Sequence, residues 1–175
     1  MNNIVWILLV VSILIMGMFQ SSFYSFGILS NILVQGTVLG MLALAVAMVV
    51  LLGDINLCTV GTAGFSALIG VMAMKRGFPI PLSVLVILLV GGAVGFINGL
   101  IVTRLKANAF IETLAMNLVL EGALLAITNG TTISQLPDSY KYISQGKIGI
   151  FPALPLVLFG IFILFYFLWN KTSFG

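Results

Sequence analysis

The sequence has no histidine, one cysteine and only four acidic side chains, Asp54, Glu112, Glu121 and Asp138. Without histidine the commonest proton shuttle and metal ligand is missing, and a Ser/His/Asp or Cys/His catalytic site is impossible. The single Cys58 excludes an intrachain disulfide and a His/Cys metal cluster. The four acids lie in four separate places, so a paired-carboxylate site requires tertiary convergence, and nothing in their spacing favours one. No G-x-x-x-x-G-K-[S/T] loop is present; the one Gly-Lys pair, Gly146-Lys147, runs into Ile148 and lacks a phosphate cradle. The chain has no recognisable means of hydrolysing a nucleotide, and the expectation is of no enzyme, no metal site and no cofactor. The basic residues are scattered, so a net charge of +3 does not point to nucleic acid. Charge of either sign makes up 6% of the residues, against about 25% in soluble domains.

What fills the chain instead is apolar sequence: 61% hydrophobic residues and a mean hydropathy of +1.28. From Met1 to Gly53 there is no charged side chain. A helix crosses the hydrocarbon core with about 20 apolar residues, so this run suits two spans. The expected fold is all-α, a polytopic transmembrane helix bundle of about six hydrophobic segments forming one transmembrane domain over residues 1–175. The segments read as Ile4–Phe19, Asn31–Leu52, Leu57–Met74, Leu82–Thr103, Phe110–Thr128 and Phe151–Trp169. Ser25 to Asn31 reads as a turn, with Phe23, Tyr24 and Phe26 near the interface. A cleavable signal peptide wants a basic residue before its apolar run, and none precedes Lys75, so the first segment reads as a retained span. Asn129 to Ile150 reads as an exposed loop with room for a short interfacial helix, and Trp169-Asn170-Lys171 as an interface anchor. With the N-terminus inside, three basic residues fall in inside loops and four in outside loops, which leaves orientation open by charge alone.

The interruption between the second and third segments is the most informative stretch. Val49 to Phe65 places Asp54, Asn56 and three glycines, Gly53, Gly61 and Gly64, between runs of bilayer length. A charge beside such sequence is unfavourable unless it faces protein, water or the interface. Irregular backbone at membrane depth is tolerated only where it is buried in protein or lines a cavity. Two readings stand: a turn at the water surface, or a broken or re-entrant segment near 53–64 of the kind that lines transport paths.

Other polar and small residues mark faces. Gly36 and Gly40, continued by Ala43 and Ala47, and Gly91, Gly95 and Gly99 recur every four residues, giving smooth faces that another helix can approach closely. Asn98 sits beside the second of these faces, able to bond between helices or to line a path. At 100° per residue, Thr113, Asn117, Glu121 and Thr128 fall within about 80° of one another, a polar stripe on an apolar helix. Glu121 should face protein or water. Glu112 lies on a different face, near the Arg104–Lys106 turn, and reads as an interface residue. The candidate pathway residues are therefore Asp54, Asn56, Asn98, Asn117 and Glu121.

Four stretches together resemble the permease subunit of ABC importers for ribose, galactose and similar monosaccharides. Gly53-Asp54-Ile55-Asn56-Leu57-Cys58-Thr59-Val60-Gly61 is similar to that family's G-G-I-D-L-S-V-G. Gly91 to Thr103 is similar to its G-x-x-x-G-x-x-N-G-x-x-V-x segment. Phe110-Ile111-Glu112-Thr113-Leu114-Ala115-Met116, through Gly122 to Asn129-Gly130, is similar to F-I-x-T-L-x-x followed by G and N/G-G. Thr172-Ser173-Phe174-Gly175 is similar to its T-x-F-G. The resemblance covers about residues 35–175. There are departures: the first motif is one residue longer, Asn56 replaces an Asp, Asp54 comes earlier, and Glu121 stands where a basic residue is usual. They leave the solute open, since related members carry other furanoses, autoinducers or nucleosides.

The resemblance implies a passive, multi-pass subunit of a bacterial inner membrane, working beside a second permease chain. It implies a separate ATP-binding subunit that hydrolyses ATP, an extracytoplasmic solute-binding protein, and an N-terminus inside. It further implies that the chain is the N-terminal part of a longer permease. A carrier or channel outside the ABC class, and a structural membrane assembly protein, are the alternatives from other classes.

Overall fold

The computed structural model describes residues 4–131, 147–148 and 151–171. Six α-helices lie among them: α1 (Ile4–Phe19), α2 (Phe26–Leu51), α3 (Thr59–Lys75), α4 (Ile80–Arg104), α5 (Ala109–Thr128) and α6 (Ala153–Lys171). A 3-10 turn occupies Ser21–Tyr24, and a two-residue antiparallel pairing joins β1 (Lys147–Ile148) to β2 (Phe151–Pro152). The class is all-α and polytopic. By length and composition α2, α4 and α5 can each cross a membrane, whereas α1, α3 and the apolar part of α6 are shorter. At 1.5 Å per residue the 17-residue α3 is about 25 Å long.

Helix ends follow local chemistry. Asn108 caps α5, its side-chain oxygen accepting from the Phe110 and Ile111 N–H groups at 3.0 and 3.3 Å. At the far end Asn129 and Gly130 take left-handed backbone with φ of 50° and 68° and close the helix. Pro81 lies in the first turn of α4, where its missing N–H costs nothing. Two expected boundaries are corrected. Ser25–Asn31 is not a turn: the Ser25 carbonyl accepts from the Ile28 and Leu29 N–H groups, both at 3.1 Å, and α2 starts at Phe26. The interruption expected near 53–64 ends at Cys58, because Gly61 and Gly64 are inside α3. The loop expected over 129–150 lies mostly outside the described residues.

The chain divides into two compact units, residues 1–39 with 147–175 and residues 40–146, the boundary falling within α2. In the first, α1 buries none of its residues. Its one close approach is at Gly17, where any side chain would collide with the Tyr24 ring. Tyr24 donates its hydroxyl to the Ile13 carbonyl at 3.5 Å and stands edge-on to Phe23 with ring centroids 5.5 Å apart. On α6 the Asn170 amide returns to the Tyr166 carbonyl at 3.0 Å.

In the second unit α3 packs against both α4 and α5 as a three-helix bundle. Its buried apolar cluster is Cys58, Val94 and Leu120, with Phe65 and Met116 packed against it. Small residues let the backbones meet. Gly70 faces Ile87 and the Ser83 carbonyl, and Gly61 faces Asn117, with no room for a side chain at either. This is how helices pack where lipid removes the hydrophobic drive between them. The smooth faces singled out from the sequence behave differently. Gly91 meets Thr62 and Ser66 at ordinary contact, but a Cβ at Gly36, Gly95 or Gly99 would have nothing within 4 Å. Within this unit no helix lies against Gly95 and Gly99.

Candidate functional site

Leu52 to Cys58 is non-helical backbone between α2 and α3. Gly53 turns the chain with φ +88°, a conformation costly for any side chain. A backbone left without partners here would be expensive in an apolar setting, and the partners come from α5. The Leu57 N–H donates to Thr113 Oγ1 at 3.1 Å, while that hydroxyl donates to the Ala109 carbonyl at 2.7 Å. The Cys58 N–H is taken locally, by Asn56 Oδ1 at 2.8 Å.

The start of α3 is also closed from α5. Cys58, at the N-cap position, makes no side-chain cap bond. The Gly61 N–H, one of the first-turn donors that a helix leaves unpaired, donates instead to Asn117 Oδ1 at 3.0 Å. Asn117 in turn donates from Nδ2 to Glu121 Oε1 at 2.8 Å. The amide thus links a carboxylate to a helix N-terminus, where negative charge is favoured by the helix dipole. Substituting Gly61 would push Asn117 off this bond, so the glycine and the amide work as a pair.

Beside the break lies a cavity of about 220 Å³. Asp54, Asn56, Asn98, Thr103 and Thr113 supply its polar lining, and Gly95 and Gly99 form part of its wall without side-chain bulk. The open space at these two glycines is the space of the cavity. Of the five candidate pathway residues, Asp54, Asn56 and Asn98 come together here; Asn117 and Glu121 line no part of it and hold the start of α3. Asp54 is exposed, Asn56 half-buried and Asn98 buried. A larger cavity of about 370 Å³ between α3 and α5 is walled mainly by Leu68, Val71, Leu124 and Leu125 with Thr128 and Thr131. Among the described residues its lining has no charged or amide side chain, so the smaller cavity is the better match to a polar solute.

Glu112, read from the sequence as an interface residue near the Arg104–Lys106 turn, is buried, 9% exposed. It meets Asn98 of α4: with its amide nitrogen facing acceptors, Asn98 donates to the Val94 carbonyl at 3.1 Å and to Glu112 Oε1 at 3.2 Å. The opposite orientation would set oxygen against oxygen at both contacts. Helical spacing correctly separates Glu112 from the Thr113–Glu121 stripe, but it carries no information that the second face meets α4. The Asn108 cap was open to view in the sequence, as an Asn just ahead of an apolar run with an acid in the first turn.

The sequence is similar to those of known proteins. A sequence model of the family described as "Branched-chain amino acid transport system / permease component" matches residues 28–175. The autoinducer 2 import system permease protein LsrC of Photorhabdus luminescens is 32% identical over 162 residues, covering 92% of this chain and 49% of that protein. The xylose transport system permease protein XylH of Haemophilus influenzae is 32% identical over 179 residues, covering 97% and 46%. The L-arabinose ABC transporter permease protein AraH of Azospirillum brasilense is 28% identical over 148 residues, covering 84% and 43%. The chain spans about half the length of the curated relatives it matches. No solved structure matches it significantly.

Proposed function

The chain belongs to the permease-component family of ABC import systems, and from that premise we propose that it is a membrane-spanning subunit of a binding-protein-dependent importer of sugars or related small polar solutes. It works in a bacterial inner membrane as one of a pair of permease chains. A separate subunit hydrolyses ATP, and an extracytoplasmic binding protein delivers the solute. The observation that carries this reading is the cavity where Asp54, Asn56 and Asn98 converge beside interrupted backbone. Few polar groups in an otherwise apolar wall orient a solute without holding it tightly, which suits a path that must also release.

In this reading the partner ATPase drives the paired chains between outward and inward openings, a population shift supplied by differential binding of ATP to the two states. Asp54, Asn56 and Asn98 meet the passing hydroxyls. Thr113, Asn117 and Glu121 keep the break and the start of α3 in register while the walls move. The test is uptake of radiolabelled D-xylose and L-arabinose by liposomes holding the chain with an ATP-binding subunit and a solute-binding protein. ATP-dependent uptake that falls about tenfold in Asp54→Ala, the effect of losing one charged hydrogen bond, supports the reading. Uptake driven by an ion gradient without ATP contradicts it, as does uptake indifferent to Asp54.

A further inference from the structure

Asn98 lines the cavity, yet its amide is turned away from it. Both hydrogens of Nδ2 are committed, one to the Val94 carbonyl and one to Glu112 Oε1. An asparagine amide offers two donors and one carbonyl acceptor, so the carbonyl oxygen is what Asn98 has left. Glu112 has no other evident reason to be where it is. It is a buried acid on an apolar helix, and its second oxygen, Oε2, is buried without a hydrogen-bond partner. Burying a carboxyl group with half its acceptors idle is unfavourable. Its place in the first turn of α5 offsets part of that through the helix dipole, and the Asn98 bond is its one side-chain contact of this kind among the described residues.

We infer that Glu112 is a positioning residue: it holds the Asn98 amide so that the solute meets a carbonyl oxygen there and no N–H. This deepens the proposed function and rests on it for the solute's presence. The neighbouring groups fit the same polarity. Asp54 is a carboxyl group, and Thr103 spends its hydroxyl hydrogen on the Gly99 carbonyl at 2.6 Å, leaving an acceptor. Asn56 spends its oxygen on the Cys58 N–H, leaving the one amide donor. Thr113, the fifth polar lining residue, spends its hydroxyl on the Leu57 N–H and the Ala109 carbonyl. The three acceptors and one donor that remain take a solute rich in O–H or N–H donors and reject an anion.

The test reads the Asn98 amide directly and needs no transport. In the ¹⁵N-asparagine-labelled chain in lipid nanodiscs, the Asn98 side-chain signal is the one that disappears in Asn98→Ala. The expected wild-type result is a nuclear Overhauser contact between the Asn98 NH₂ and the Glu112 γ-methylene. Hydrogen exchange at that NH₂ should quicken about tenfold in Glu112→Met, the scale of one lost hydrogen bond. Glu112→Gln keeps an acceptor at the same reach and should restore the wild-type rate, a rescue that mere packing by Glu112 does not predict, since Met and Gln are of similar size. The inference is overturned by a missing wild-type contact, which decides the matter even where a variant does not accumulate. It is also overturned by equal exchange in wild type and Glu112→Met, or by Gln behaving as Met. Because these signals are read without solute, they fail independently of the Asp54 uptake experiment, whose failure removes the importer reading instead.

Discussion

α1 and α5 are both apolar helices, and they use their sequences in opposite ways. α1 is apolar on every face, apart from Ser12, and buries none of its residues. Its leucines and isoleucines stay open, with Leu8 63% exposed and Trp6 68% exposed. α5 interrupts its apolar surface with Glu112, Thr113, Asn117 and Glu121; the first three bond to other segments of the chain, and Glu121 bonds Asn117 on its own helix. The difference teaches that in lipid, apolar side chains alone do not choose a neighbour, because the solvent is as apolar as they are. Polar atoms and missing side chains do the choosing.

Substitutions can break or sharpen that contrast. The largest effect is expected at Gly61→Leu, which drives Asn117 off the start of α3 and leaves the Gly61 N–H unpaired. Overpacking and an orphaned donor together should destabilise the chain by about 3 kcal/mol or more, read as collapse of the thermal transition in detergent. Thr113→Val comes next, at about 1–3 kcal/mol, because it orphans the Leu57 N–H. Thr128→Val is its control, since among the described residues the Thr128 hydroxyl bonds only the Leu124 carbonyl of its own helix, at 2.8 Å; a shift as large as that of Thr113→Val would end the distinction drawn between the two. Gly53→Ala forces a side chain into left-handed backbone and should cost about 1–2 kcal/mol, measured in the same melts. Leu8→Ala in α1 should change stability by less than about 0.5 kcal/mol. A loss of 2 kcal/mol or more, the range of a buried leucine, would show that α1 is packed after all.

How far the sequence could be read follows from the same physics. The end of α1 and the end of α5 were legible, set by polar clusters at 20–25 and at Asn129-Gly130. The break was legible because Asp54 and Asn56 cannot sit idle in lipid. The start of α2 was not, since Gly27, Ser30 and Asn31 look like a turn, while Ser25 bonds Ile28 and Leu29 and makes them helical. Which helix meets which was also hidden. The glycine ladder at Gly91, Gly95 and Gly99 advertised a contact, yet the tight approaches between α3 and its neighbours are at Gly61 and Gly70, each matched to one particular partner, Asn117 and Ile87. A four-residue repeat shows that a face is smooth and says nothing of what will fill it; here part of it borders a cavity. The stripe of α5 was legible as a set of angles; that Thr113 holds the break and lines the cavity while Asn117 closes the start of α3 needed the fold.

The central claim is that α5 side chains hold the interrupted backbone before α3 and so keep a polar cavity open beside it. Amide hydrogen exchange across residues 52–62 in lipid nanodiscs tests it most directly. The account predicts that the Leu57 and Gly61 amides are protected relative to those of Lys106 and Ala107 in the turn between α4 and α5, which have no hydrogen-bond partner among the described residues, and that each loses protection in turn, Leu57 in Thr113→Val and Gly61 in Asn117→Leu. Exchange at both positions as fast as in that turn, and unmoved by either substitution, would contradict it.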